Sequence, residues 1–386
     1  MRVTSRIPSK RHVHAKERVG APRNKGFSMI NTEGQLPHPG GVNAESAADA
    51  HARFDLDDVG IVGRLQRFLH GYPTIIPLIV LMLSLIGFGL FAGSKFFSPY
   101  NMSLIVQQVS IIGVLAVAQS LVILTAGIDL SVAAILVLSS VIAGNLAVKL
   151  GWPAPIALLI AFACGIGIGL FNGFLVTKIK LPPFIATLGT WNVFYALNLY
   201  LSGAQSIRGS EIDTSAPLLK FFGQNFSVFG TDVSYGSILF VIVFLVLWYA
   251  LTRTAWGRHI YAVGDDREAA ELAGIRTDRV LISVYAVAGL ICALAGWSAI
   301  GRVGAVSPTS FFEGNLQSIT AVVIGGISLF GGRGSILGPL IGALIVGVFQ
   351  SGLRIAGVDV LWQLFAIGWL ILIAVAIDQW IRKVSA

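Results

Sequence analysis

Charged side chains are scarce in this sequence. Asp, Glu, Lys and Arg supply 12% of its 386 residues while apolar types reach 55%, against about a quarter charged in a soluble domain. So little charge excludes a chain bathed in water on every side. Cysteine is nearly missing: Cys164 and Cys292 are the only two, both inside apolar stretches, which excludes a disulfide framework and a four-ligand zinc site. No apolar run contains a histidine, since His12, His14, His38, His51, His70 and His259 all fall outside. Hydrolysis by a Ser-His-Asp triad or an intramembrane metal site therefore lacks its base or its ligands. The phosphate-cradling G-x-x-x-x-G-K-[ST] loop is missing too. Gly331-Gly332-Arg333-Gly334 comes nearest but lacks the lysine, so it suits a tight turn and cannot bind nucleotide in the P-loop manner. Asp265-Asp266 has no further spaced aspartates to hold magnesium and reads as a helix start. No catalytic residue, metal site or cofactor is expected on this chain.

What remains is a series of long apolar runs. A helix needs about 20 apolar residues to cross the hydrocarbon core. From Tyr72 onward the pattern predicts an all-α, polytopic transmembrane bundle of about ten spans, at 73–92, 104–126, 130–149, 153–176, 183–201, 237–252, 280–300, 317–331, 335–353 and 360–380. The sixth and eighth are short. Residues 1–70 differ: basic residues, a Pro/Gly/His stretch and a mixed acidic segment build up no apolar period, which predicts a disordered cytoplasmic tail ahead of a 71–386 membrane domain. No apolar segment followed by a cleavage site marks a signal peptide there.

The net charge of +8 sits in the tail and in short loops, as topology signals do, and offers no folded basic surface to nucleic acid. With the tail inside, alternation puts Lys178, Lys180, Arg253, Arg258, Arg267, Arg276, Arg279, Arg333, Arg382 and Lys383 inside as well. Lys95, Lys149, Arg208, Lys220, Arg302 and Arg354 fall outside. The bias predicts an even number of spans and two cytoplasmic termini. The outside loop 202–236 is large enough for a docking surface. In the inside loop 253–279, Arg267-Glu268-Ala269-Ala270-Glu271-Leu272-Ala273 follows two acids and is closed by Gly274. That is a short helix between two spans, fit to meet a partner or lipid headgroups. Gly165, Gly169 and Gly173, like Gly334, Gly338 and Gly342, repeat every fourth residue and predict close helix packing.

Polar residues inside the runs are mostly neutral. Gln107, Gln119, Asn172, Thr187 and Asn192 are candidates for a translocation pathway, because unpartnered in lipid they would be costly. Amides and hydroxyls suit a neutral polyol. The one good intramembrane carboxylate is Asp129, in Gly127-Ile128-Asp129-Leu130-Ser131. It either caps the helix that follows or lines the pathway.

These residues resemble a known family. Gly127 to Val132, Thr187-Leu188-Gly189-Thr190, the loop from Gly257-Arg258 through Glu268-Ala269-Ala270 to Gly274-Ile275, and Val323-Ile324-Gly325-Gly326 to Gly334-Ser335 together look like the permeases of ribose-, xylose- and fructose-type ABC importers, the fructose type nearest. The likeness covers about residues 72–386. It implies a homodimer in the bacterial inner membrane that moves a monosaccharide. Its partners would be a cytoplasmic ATP-binding subunit, which carries the ATP and magnesium, and a periplasmic sugar-binding protein. It further implies that Arg258, Glu268, Ala269, Ala270 and Gly274 belong to a coupling element docking on the ATPase. Three departures bear on the sugar: Val132-Ala133 in place of Val-Gly, Asp265-Asp266 in place of Gly-Asn, and Trp191-Asn192-Val193 where an arginine is usual. A branched-chain amino-acid permease of the same class, or a secondary transporter driven by intramembrane carboxylates, are the alternatives.

Overall fold

The structure, a computed structural model, describes residues 74–382 apart from residue 229; the expected tail at 1–70 lies outside them. In a membrane core every backbone polar group must be satisfied within its own segment, so apolar runs fold as helices. Each of the ten predicted runs contains a helix. They are α1 (Ile75–Ala92), α2 (Pro99–Leu124), α3 (Val132–Gly144, extended by a π turn Asn145–Lys149), α4 (Ala154–Thr177), α5 (Pro183–Ser202), α7 (Tyr235–Arg253), α10 (Thr277–Val303), α11 (Gly314–Ile324), α12 (Leu337–Ile355) and α13 (Val360–Arg382). Between them lie the short helices α6 (Gly209–Ser215), α8 (Ala255–Asp265) and α9 (Arg267–Leu272).

Seven helices among the described residues are long and apolar enough to cross a membrane: α1, α2, α3, α4, α7, α10 and α12. The eighth run departs most from expectation. It was predicted at 317–331, yet the helix begins at Gly314, stops at Ile324 and gives way to irregular backbone through the glycine turn. Eleven residues rise about 16 Å, half of a bilayer core. A Cβ built on Gly314 would lie 3.3 Å from Leu115 Cδ1 and 3.4 Å from Ala133 Cβ. Leu115 is nine residues short of the α2 end, so α11 starts inside the bundle, fed by the irregular stretch 304–313.

Helix α10 is central, packed on α4, α3 and α2. The glycine spacing does what small residues do between helices. A Cβ on Gly165 would stand 2.6 Å from the Gly289 carbonyl, and one on Gly169 2.1 Å from that of Tyr285. Likewise Gly338 abuts Gly325 and Gly342 abuts Ala321. Backbone touches backbone there, and no side chain fits between.

Loops gather at two ends. At one, Gly332 N donates to Leu124 O (3.0 Å), Tyr261 Oη to Gly334 O (2.9 Å), and Lys178 pairs with Asp278 (2.8 Å). At the other, Ile207 bridges Val306 and Asn145 Nδ2 donates to Leu201 O (2.8 Å). The 202–236 loop is folded at this second end: α6, a 3-10 turn Pro217–Gly223, and an antiparallel hairpin of β1 (Asn225–Val228) and β2 (Thr231–Ser234). This hairpin is a small exception to the all-α expectation. Buried Ile212 and Leu219, with Phe222 edge-on to Trp297 at 4.5 Å, seat the loop on α10. Ser234 ends the hairpin and caps α7, accepting from Ser237 N at 3.3 Å, as N-cap serines do.

Candidate functional site

The interval 125–131 breaks the bundle between α2 and α3. The amides of Thr125, Ala126 and Gly127 still bond to carbonyls in the last turn of α2, and side chains from neighbouring helices take up backbone groups of Ile128, Asp129 and Leu130. Gln119, fully buried on α2, has its amide oriented by Asp129: the nitrogen donates to Asp129 O (2.9 Å) and the oxygen accepts from Asp129 N (3.2 Å). Thr187 Oγ1 on α5 accepts from Leu130 N (3.1 Å) and lies 3.0 Å from Ile128 O. Asn315 Nδ2 on α11 donates to Leu130 O (3.1 Å). Asn172 Nδ2 on α4 donates to Ser131 Oγ (2.8 Å). The Asp129 carboxylate accepts from Ser131 N (2.7 Å) and Ser131 Oγ (2.6 Å), a turn that launches α3 in the manner of a cap.

Gln119, Asp129, Asn172 and Thr187 are thus brought together from four points in the sequence. Gln107 and Asn192 are not among them. Gln107 donates to Ser103, whose hydroxyl reaches Asp232 O on the hairpin, and Asn192 is exposed on α5, bonded to Leu188 O of its own helix (3.0 Å). Asn315 escaped sequence reasoning because its run was read as starting two residues later. The break keeps three buried polar atoms without a partner among the described residues: Asn172 Oδ1, Asn315 Oδ1 and Tyr285 Oη. Unpaired buried groups carry a free-energy cost, and neutral amides and a phenol can exchange hydrogen bonds with a neutral hydroxylated solute.

A second element lies at the end of the bundle where α2 terminates. Asp266 caps α9, accepting from Ala269 N (3.0 Å), and Gly274 closes it with φ +84°, a conformation that favours glycine. Arg267 reaches Asp278 (2.9 Å), which also takes Lys178. Hydrogen bonds from Thr277 and then Arg267 hold the Glu271 carboxyl below its ordinary value. Of the residues expected to couple, Ala270 is buried against the bundle, while Arg258, Glu268, Ala269 and Gly274 are exposed. Sequence reasoning passed over Leu272. It is 91% exposed, the one large apolar side chain on α9, and so offers apolar surface that a partner could cover. Its signal was a lone leucine in a run otherwise of alanine and charge. Helix α8 leads into α9 and abuts α2: a Cβ on Gly264 would come 1.8 Å from the Leu124 carbonyl. The exposed helix and the polar break are therefore joined through the last turn of α2.

The chain is similar to known proteins over most of its length. The family described as branched-chain amino acid transport system / permease component matches residues 101–375. The fructose import permease protein of Rhizobium meliloti is 56% identical over 345 residues, covering 89% of this chain and 96% of that protein. The ribose import permease protein of Bacillus subtilis is 39% identical over 292 residues, 76% of this chain and 88% of that one. Its counterpart in Escherichia coli K12 is 38% identical over 293 residues, covering 74% and 87%. No solved structure matches. With that match spanning well over half its length, the chain belongs to this family of membrane permease components.

Proposed function

We propose that this chain is the permease subunit of an ATP-binding-cassette importer in the bacterial inner membrane, passing a neutral monosaccharide, fructose first, by alternating access. The observation that carries the reading is 56% identity, nearly end to end, to a protein named for fructose import. Two copies of the chain would form the pathway. A cytoplasmic ATP-binding subunit, holding ATP and magnesium, would dock on α9, and a periplasmic sugar-binding protein on the folded 202–236 loop. Closure of the ATPase would push α8–α9 against the end of α2 and so shift the break at 125–131. Ten crossings with both termini cytoplasmic fit if 304–324 counts as one, irregular in its outer half and helical in its inner half. The alternating loop charge supports that count.

The family description names branched-chain amino acids, which are zwitterions. The groups that other helices bring to the break are amides, a hydroxyl and a phenol, with no cation to meet a substrate carboxylate. This favours the sugar. A secondary transporter would be expected to carry several coupling carboxylates inside the spans, and Asp129 is the one good candidate the sequence offers. The test is uptake into liposomes holding the chain with its ATPase, fed by the binding protein, using labelled fructose, ribose, xylose and leucine. ATP-dependent accumulation of a sugar is expected. Accumulation of leucine alone, or of any solute by the chain without its ATPase, overturns the proposal.

A further inference from the structure

Helix α5 shows an amide where the other outward faces show none. Among the described residues, the exposed side chains of α1, of α4 and of α13 over Val360–Ile373 are all aliphatic or aromatic. Those of α7 are too, until Thr252 and Arg253 at its end. Helix α5 runs 20 residues, Pro183–Ser202, which is about 30 Å and so the depth of a bilayer core. Asn192 lies halfway along it and is exposed. Its Nδ2 donates to Leu188 O of the same helix at 3.0 Å, and no described residue meets its Oδ1. Asn198, further along α5, differs: it is 1% exposed and donates to Pro308 O at 2.7 Å. Ile185, Gly189, Val193, Ala196 and Tyr200 are exposed beside Asn192, and with 3.6 residues per turn they fall in one stripe with it. A Cβ on Gly189 would meet nothing within 4 Å, so the stripe lies open to a neighbouring backbone.

Lipid covers such a stripe only at a cost, because acyl chains offer an amide no hydrogen bond. A carboxamide holds both donor and acceptor. It is therefore its own complement across a two-fold axis, where an interface pairs each patch with itself. Asparagine between small residues also matches the way membrane helices meet, by close backbone approach and hydrogen bonds from one helix to the next. We infer that a second copy of this chain covers the α5 stripe, α5 against α5, with the two Asn192 amides hydrogen-bonded across the axis at mid-membrane. The inference rests on the two-copy reading above and names the face by which the copies meet. It also gives Asn192, which stands apart from the polar break, a place at the seam between subunits.

The test uses the full complex with ATPase and binding protein in liposomes, with Cys164→Ala as background; Cys292 is fully buried and stays. Oxidation should link Asn192→Cys into permease dimers, with or without ATP, since a disulfide needs two Cα atoms within about 7 Å. Ala196→Cys, on the same stripe, serves if Asn192→Cys fails to assemble. Leu83→Cys on α1 and Leu159→Cys on α4, at sites 64% and 66% exposed, should give at least about tenfold less dimer, because lipid keeps their Cα atoms beyond that reach. A spin label at Val193→Cys, on the edge of the stripe, should collide less than one at Leu83→Cys with oxygen dissolved in lipid, and little with a nickel chelate in water. Oxygen collisions as frequent as at Leu83→Cys would put lipid on the stripe, and frequent chelate collisions would put a water channel there. Either result overturns the inference, as does the lack of dimer from both stripe cysteines. The mass of the wild-type complex separates the two readings. A single permease copy overturns the two-copy reading itself, while two copies without linkage at α5 overturn this face alone.

Discussion

Replacing Gly264 by alanine should uncouple ATP hydrolysis from transport. A Cβ there would stand 1.8 Å from Leu124 O and 2.6 Å from Gly332 N, where ordinary contact starts at 3.4 Å. Both neighbours are backbone, so neither can rotate away. The end of α8 must retreat by more than 1 Å, and the Gly332 N to Leu124 O bond at 3.0 Å is stretched or lost. Overpacking of this kind costs about 1–3 kcal/mol and the hydrogen bond about 1 kcal/mol. With about 1.4 kcal/mol per factor of ten, the docked arrangement loses at least tenfold in population. Liposomes containing the whole complex should keep hydrolysing ATP while uptake per ATP falls tenfold or more. Wild-type uptake per ATP from a stably assembled Gly264→Ala complex would refute the claim that α8 drives α2 through this contact.

Three further outcomes follow from the same geometry. Leu272→Asp should weaken association of the ATPase about 10-fold or more, since covering a leucine side chain is worth about 1.5–3 kcal/mol, measured by surface binding with the permease in nanodiscs; equal affinity would remove Leu272 from the interface. Asp129→Ala should cost about 1–2 kcal/mol of thermal stability by stripping Ser131 of its acceptor, and Asp129→Asn, which keeps an oxygen there, should cost less than half of that. Because the Glu271 carboxyl is depressed below 4.5, its support of α9 is fully present above that pH and lost as pH falls through the lowered value. Hydrogen exchange at 267–272 should accordingly quicken at acid pH, and Thr277→Val should reduce this pH sensitivity.

The helices were legible because lipid leaves an apolar run no other way to satisfy its backbone, and ten such runs became ten helices. Glycines four apart were legible for a similar reason: small residues at that spacing line one face, and Gly165 and Gly169 do lie against α10. The α9 helix could be read from its acids, its alanines and its closing Gly274. Four of the polar candidates also converge, since Gln119, Asp129, Asn172 and Thr187 had to find partners away from lipid.

Which way each side chain faces was decided only by the neighbours a helix acquires on folding. In a helix apolar all round, the sequence carries no stripe to mark the inner side, so Asn192 and Asn198 looked alike until α5 packed on α3 and the 308–312 stretch. Only tertiary contact buried Asn198 and left Asn192 exposed. The same holds for α11. Its composition reads as a short span, but its start inside the bundle is set by Gly314 lying against Leu115 and Ala133. An irregular segment at that depth is stable only where protein, not lipid, surrounds it.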